Sequence, residues 1–242
     1  MKQNPFFNKR LALYLLDMCN LTYEQYSHNG HFKVPYGVRL VKPFKAKAFD
    51  KEEWFGFILE TWDTVIIAFR GTQSDPDWIA DAEAFQDSFP FSPECGLVHH
   101  GFLSIYASCR EEIFKTYSKI SPFKKLFITG HSLGAALATL HALDVTKNSR
   151  FKQVIHYNFA SPRVGNKQFA QQYTKSVQNS LRFVNTNDII PILPPQKLQC
   201  PFTNRYWYYQ HVPKQVNFSI QTGSIANNHA LVTYKKGIEK LE

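Results

Sequence analysis

The stretch that most restricts the fold is FITGHSLGAALATLHAL, residues 127–143, in which Ser132 stands between Gly130 and Gly134. The aromatic and β-branched residues before the serine predict a buried strand, and the alanines and leucines after it predict a helix. A serine in the tight turn between them is held in a strained backbone conformation and presents its hydroxyl above the sheet edge. The simpler interpretation, a serine that caps the helix, does not require both glycines.

Five short apolar runs, including the one before Ser132, predict strands, and helical patterns lie between most of them. The runs cover residues 54–60, 64–70, 125–129, 153–160 and 180–186. This alternation predicts an α/β fold with a mostly parallel sheet that helices cover on both faces. No linker, repeat or membrane-spanning apolar run interrupts the sequence, so we expect a single domain over residues 1–242 without a transmembrane segment.

A serine hydroxyl becomes a good nucleophile when a histidine takes up its proton, and a carboxylate fixes the tautomer of that histidine. Where the serine stands in a strand–turn–helix elbow with this glycine pattern, the three residues follow in the order serine, acid, histidine. The acids after Ser132 are Asp144, Asp188, Glu239 and Glu242, and the two glutamates follow every histidine. Asp144 lies about 18 Å along the predicted helix, too far from the serine. Asp188, directly after a predicted strand, is therefore the expected acid.

Two histidines follow Asp188, and either could serve as the base. His211 lies in RYWYYQHVPKQVNF, whose alternating aromatic residues predict a strand that would hold the ring in the sheet. His229 lies in a polar loop before a closing helix, from which it can reach the rim of a site. We therefore expect His229 to be the base, with His211 as the alternative. His131, the neighbour of Ser132, is expected to point away from the site.

The net charge of +9 comes from one half of the chain. Residues 1–132 hold 15 basic and 15 acidic residues, whereas residues 133–242 hold 13 basic and 4 acidic ones. The basic residues are not interleaved with stacking aromatic residues, which argues against a nucleic-acid-binding module. A solvated basic face that aids solubility and a mild attraction to anionic surfaces both account for the surplus.

The four cysteines form no CxxC pair. Cys95, His99, His100 and Cys109 match no common zinc spacing, so we expect neither a metal nor a cofactor. The N-terminal region shows no cleavable leader, which predicts reduced thiols and a cytoplasmic protein, or a secreted one if the chain is a mature form.

Several motifs of this chain together resemble those of the class 3 lipases, a family with the α/β-hydrolase fold. They include IIAFRGT at 66–72, TGHSLGAALA at 129–138, FASPRVGN at 159–166, VNTNDIIPILPP at 184–195 and NHALVTY at 228–234. The resemblance implies Ser132, Asp188 and His229 as the catalytic triad. It also implies an oxyanion hole from Thr72 and the backbone amide of Leu133, where removal of one donor costs about 2.7 to 4 kcal/mol.

The resemblance implies a serine ester hydrolase that cleaves acylglycerols or related fatty-acid esters through an acyl-enzyme, with a lipid–water interface as its partner. Phospholipase A1 action and the hydrolysis of feruloyl esters fit the same triad. A catalytically silent lipase-like interaction module is the alternative from another class, and it would need none of these residues. The oligomeric state does not follow from the sequence.

Residues 71–94 contain six acidic residues and no lysine or arginine. Trp78, Ile79 and Phe85 share one face of a predicted short helix that begins just after Thr72. We expect a helical lid whose apolar face covers the site in water and turns towards lipid when the site opens. A helix packed permanently on the core is the alternative.

Overall fold

The computed structural model describes residues 7–48, 51–72, 85–199 and 204–241. The strands are β1 (Arg39–Ala48), β2 (Lys51–Glu60), β3 (Thr64–Phe69), β4 (Gln86–Ser88), β5 (Leu97–His99), β6 (Lys125–His131), β7 (Gln153–Phe159), β8 (Asn179–Asn185), β9 (Lys197–Gln199), β10 (Tyr206–Tyr208) and β11 (Gln215–Phe218). The helices are α1 (Lys9–Ser27), α2 (His100–Tyr117), α3 (Leu133–Asn148), α4 (Lys167–Ser176), α5 (Ile225–His229) and α6 (Leu231–Glu239).

Seven strands form one sheet in the order β1-β2-β3-β6-β7-β8-β11. Neighbouring strands from β3 to β11 are parallel, whereas β1 and β2 add an antiparallel edge. All five strands expected from the apolar runs are present, and the prediction of a mostly parallel sheet is confirmed. The apolar runs do not reveal β1, because Lys42, Lys45 and Lys47 give this edge strand a polar sequence.

The prediction of one strand over RYWYYQHVPKQVNF is wrong. The segment forms two short strands, because β10 pairs with β9 in a separate hairpin and β11 pairs with β8 in the main sheet. Pro213, which has no N–H to donate, and Lys214, with a φ of 63°, interrupt the extended conformation between them. His211 therefore lies in the connection between two strands and not within a strand.

Helices cover both faces of the sheet, as predicted. The amphipathic α1 buries Leu15 and Met18 against one face, where α6 also packs. α2, α3 and α4 pack in the core on the other face, which includes Ile128. α3 is buried at every position from Leu133 to Val145, so the helix that follows Ser132 is held by packing on all sides.

The parallel strands end at the same edge of the sheet, which we call the carboxyl edge. The loops that leave it follow Phe69, His131, Phe159, Asn185 and Phe218. Every predicted catalytic side chain belongs to a loop or short helix at this edge, as expected for a parallel sheet. Within the described part of the chain, no helix has the length and apolarity that crossing a membrane requires.

Candidate active site

Ser132 occupies the turn between β6 and α3, with φ 58° and ψ −127°. A side-chain-bearing residue at positive φ is strained, and such strain persists only where the surrounding structure imposes it. A Cβ atom on Gly130 would lie 2.2 Å from the Gly134 carbonyl oxygen, and one on Gly134 would lie 2.1 Å from that of Phe69. Both glycines are therefore needed for the turn to pass this close to α3 and β3. Ser132 itself is only 5% exposed.

Asp188 and His229 are joined by a hydrogen bond of 2.8 Å between Oδ2 and Nδ1. The carboxylate is buried, and it also accepts hydrogen bonds from the Tyr234 hydroxyl at 2.7 Å and from the Ile190 amide at 3.0 Å. Because Nδ1 donates to the carboxylate, the Nε2 atom of a neutral His229 has a free lone pair. That is the tautomer that can accept a proton from a serine hydroxyl.

Two asparagines tie together the loops that carry the acid and the histidine. Asn185, at the end of β8, donates from Nδ2 to the carbonyl of Asn228, and its Oδ1 accepts from the Ile220 amide. Asn228 in turn donates from Nδ2 to the carbonyl of Asn187. These bonds lie on both sides of the Asp188–His229 pair and leave little freedom for either loop to move separately.

His131 does not point away from the site, contrary to expectation. Its ring lies 4.5 Å from the ring of His229, centroid to centroid, and its Nε2 donates to the His229 carbonyl at 2.9 Å. The Tyr23 hydroxyl donates to Nδ1 at 2.9 Å. Burial, and then the charge of His229, lower the pKa of His131 well below its ordinary value. His131 is thus a neutral residue that contacts His229 and links the end of β6 to α5.

The loop after β3 approaches the serine closely. A Cβ atom on Gly71 would lie 3.1 Å from the Cβ of Ser132 and 2.7 Å from the carbonyl of His131. Thr72, the next residue, therefore begins directly beside the turn. Leu133 is the first residue of α3, and amides of a first helical turn have no acceptor within the helix. Leu133 thus follows Ser132 directly, and Thr72 follows a residue that approaches the serine closely, whereas the oxyanion hole itself stays a prediction.

The predicted lid lies mostly outside the described residues. Trp78 and Ile79 lie outside the described residues, whereas Phe85 is the one of the three predicted lid residues that the structure describes. Phe85 is 37% exposed, and its ring stacks on His100 with the centroids 4.2 Å apart. Phe85 is not helical and directly precedes β4, so the prediction that the lid helix includes this residue is wrong. The rest of the lid stays a prediction.

Asp144 and His211, which the sequence analysis did not choose as acid and base, interact with other residues. Asp144 is buried, accepts hydrogen bonds from Tyr106 and Asn148, and forms an ion pair with Arg110 at 2.5 Å. His211 donates from Nε2 to the Pro191 carbonyl at 2.5 Å. Burial lowers the pKa of His211 to about 3, followed by the charge of a neighbouring arginine. Neither group contacts Ser132 or His229 among the described interactions.

Sequence reasoning missed Tyr234, Asn185 and Asn228 as parts of this site. The available signal was local, since Tyr234 ends the NHALVTY motif and Asn185 ends a predicted strand. Their importance comes from contacts between residues that are far apart in the chain.

The family model described as lipase (class 3) matches residues 66–198, which is more than half of the 242 residues. The chain therefore belongs to the class 3 lipase family. Among solved structures, it is similar to a triacylglycerol lipase whose catalytic centre is a serine protease triad, with a TM-score of 0.68 and 26% identity. That match covers 88% of this chain and 80% of the other, and it confirms the α/β-hydrolase fold.

Two curated relatives show the range of the family. Over 137 residues the chain is 39% identical to the secreted mono- and diacylglycerol lipase A of Penicillium cyclopium, covering 55% of this chain and 44% of the relative. Over 189 residues it is 30% identical to phospholipase A1-II 1 of Oryza sativa subsp. indica, covering 64% of this chain and 48% of the relative. The chain thus spans less than half the length of both.

Proposed function

We propose that the protein is a serine ester hydrolase that cleaves fatty-acid esters such as acylglycerols through an acyl-enzyme. The observation that carries the proposal is the Asp188–His229 hydrogen bond at the carboxyl edge, beside a strained serine turn. The family supports it, because a solved relative with this fold is a triacylglycerol lipase with a serine protease triad.

In the proposed reaction, His229 Nε2 takes the proton of Ser132 Oγ while Oγ attacks the ester carbonyl carbon. The carbonyl oxygen becomes negative and accepts hydrogen bonds from the Leu133 amide and from Thr72. The tetrahedral intermediate then collapses, the bond to the leaving alcohol breaks, and His229 returns the proton to that alcohol. Water attacks the resulting acyl-serine in the same way and releases the fatty acid.

Asp188 supports these steps without gaining a proton. Its buried carboxylate fixes the His229 tautomer and stabilises the imidazolium that forms when Ser132 is deprotonated. The Tyr234 hydroxyl and the Ile190 amide hold the carboxylate in the orientation that reaches His229.

A serine-directed fluorophosphonate probe and an ester panel test the function together. We expect the probe to label the wild-type protein at Ser132, and the Ser132→Ala variant to remain folded but unlabelled. The panel contains monoacylglycerols, triacylglycerols, phospholipids, feruloyl esters and nitrophenyl esters of graded chain length. Hydrolysis of feruloyl esters alone would replace the acylglycerol proposal, and absence of both labelling and hydrolysis would favour a silent interaction module.

The proposed working place is a lipid–water interface outside the cell. The Penicillium relative is secreted by name, which supports the secreted alternative over the cytoplasmic one. The described cysteines Cys19, Cys95 and Cys109 are free and buried, so this part of the fold needs no oxidising compartment. Ester-hydrolase activity recovered from culture medium, and absent there when the gene is deleted, would support secretion.

A further inference from the structure

A cavity with a volume of about 820 Å³ opens at the carboxyl edge. It lies between the loop after β7, the start of α4 and the hairpin of β9 and β10. Its cationic lining residues are Arg163, Lys167 and Lys197, each from a different one of these segments. Among the described residues that line it, none is acidic.

The cavity belongs to the same edge as the proposed triad. Arg163 leaves the sheet after β7, the strand next to β8, whose loop carries Asp188. Through Nη1 it donates to the carbonyls of Ile192 and Pro194, which lie in the Asp188 loop. His211 donates to Pro191 in the same loop. One wall of the cavity is therefore the loop that positions the proposed catalytic acid.

Among the described residues, no ion pair joins the lining cations Arg163, Lys167 and Lys197 to a carboxylate. No hydrogen bond within the described residues engages Nε or Nη2 of Arg163, so these donors remain for a ligand. Burial, and then the charge of Arg163, lower the pKa of Arg182 to about 10. Burial, followed by the charge of Arg182, lowers the pKa of His211 to about 3. Burial is the larger cause of both shifts, and the charge of a neighbouring arginine adds to each.

Among the described residues, Asp87 is a carboxylate that acts on this region, and it is already paired with another side chain. The charge of Asp87 contributes, behind burial, to a raised pKa of Tyr209, which lines the cavity. However, Asp87 contacts His100 at 2.5 Å, outside the lining residues. A second cavity of about 660 Å³, between β1 and α2, shows the contrasting case, since its Lys42 pairs with Glu112 at 2.6 Å.

We propose that the cavity at the carboxyl edge binds the phosphate of a lipid head group, so that the enzyme selects acidic glycerophospholipids among fatty-acid esters. The proposal rests on the ester hydrolase function proposed above. A phosphodiester anion accepts several charge-assisted hydrogen bonds from lysine and arginine. A neutral acylglycerol leaves these cations without an anion, and a choline head group brings its own positive charge against them.

The test compares three lipids with identical acyl chains in non-ionic detergent micelles: phosphatidylglycerol, phosphatidylcholine and diacylglycerol. In the variant Lys167→Gln/Lys197→Gln, kcat/KM for phosphatidylglycerol should fall about tenfold relative to diacylglycerol, as expected for two lost charge contacts. Hydrolysis of nitrophenyl butyrate should not change. Both lysines are exposed, so their replacement leaves the core intact.

The matched control is Lys125→Gln/Lys152→Gln, which removes two exposed lysines near the opposite, amino-terminal edge of the sheet. It changes the net charge equally and should leave the lipid ratio unchanged. An equal fall in the control would overturn the proposal in favour of a general surface-charge effect. An unchanged ratio in both variants would overturn it outright.

Inorganic phosphate distinguishes a head-group site from a site for the free anion. Competitive inhibition of phosphatidylglycerol hydrolysis by phosphate, lost in the Lys167→Gln/Lys197→Gln variant, would support the proposal. Calorimetric binding of phosphate that depends on both lysines, without any change in the lipid ratio, would overturn the head-group assignment. If the wild-type protein hydrolyses no ester at all, the underlying function fails, which the nitrophenyl butyrate assay reports separately.

Discussion

The Tyr234 hydroxyl donates a hydrogen bond of 2.7 Å to Oδ2 of Asp188, the same oxygen that accepts the Nδ1 proton of His229. The hydroxyl also accepts the Asn185 amide at 3.2 Å. Burial, and then the charge of Asp188, raise the pKa of Tyr234 well above its ordinary value, so it remains a donor at any working pH. Tyr234 is thus a positioning residue for the proposed acid.

Replacing Tyr234 by phenylalanine should lower kcat about tenfold, the equivalent of ~1.4 kcal/mol, while KM stays unchanged. The carboxylate loses one donor and the Asn185 amide loses its acceptor, so the melting temperature should fall as well. Tyr173→Phe is the control, because its buried hydroxyl bonds His156 and Ser180. The control should lose stability and keep kcat, whereas an unchanged kcat in Tyr234→Phe would remove Tyr234 from the mechanism.

The two histidines that follow Asp188 should behave differently on substitution. His229→Ala should lose about 10⁴-fold or more in kcat, as expected when one member of a triad is removed. His211→Ala should mainly reduce stability, because it loses packing and the hydrogen bond to the Pro191 carbonyl. Steady-state hydrolysis of nitrophenyl butyrate and thermal melting measure both effects. The opposite pattern would assign the base to His211.

Chain order made much of this arrangement predictable. The apolar runs located the five inner strands, and the scarcity of acids after Ser132 left Asp188 as the expected acid. Asp188 and His229 are 41 residues apart, yet each follows an element that ends at the carboxyl edge. A residue could therefore be placed from the sequence when its type is scarce in that part of the chain and when it follows a strand with a clear apolar pattern.

His131 could have been placed by the two-residue period of a strand, although it was expected to point elsewhere. Thr129 and His131 lie two residues apart on β6 and contact Cys19 and Tyr23 of α1, respectively. Both side chains thus lie on the face that α1 covers. The roles of Tyr234 and Asn185 depend on contacts across more than 40 residues, and a single sequence contains no local pattern that reports them.

The lid can be tested although Trp78 lies outside the described residues. The rate on a short-chain ester should jump above its solubility limit, because lipid would favour the form that exposes more apolar surface. Trp78→Ser should blunt that jump more than it slows monomeric substrate. Trp62→Ser is the control, since Trp62 is 87% exposed in the turn between β2 and β3. Smooth saturation kinetics across the solubility limit in the wild-type protein would mean that residues 71–94 have a structural role and do not form a lid.

Buried neutral histidines should make the fold acid-sensitive between pH 6.5 and 5. Burial lowers the pKa values of His141 and His156 to about 3, and the same cause acts first on His211. In the unfolded chain these groups return to about 6.5, so below that pH the unfolded state binds more protons than the folded state. Each group should therefore reduce the free energy of unfolding by about 1.4 kcal/mol per pH unit.

Urea unfolding at pH 7.5, 6.5, 5.5 and 5.0 measures this slope, and His156→Gln identifies its source. The variant should be less stable at pH 7.5, because it alters a buried site, but its slope should be smaller by about one proton. The carboxylate Glu60 does not account for such a slope. Ionised partners lower the pKa of Glu60 against the effect of its burial, so its contribution is lost only below its ordinary range near 4.5. A free energy of unfolding that is flat from pH 7.5 to 5 would mean that these histidines take up protons without unfolding.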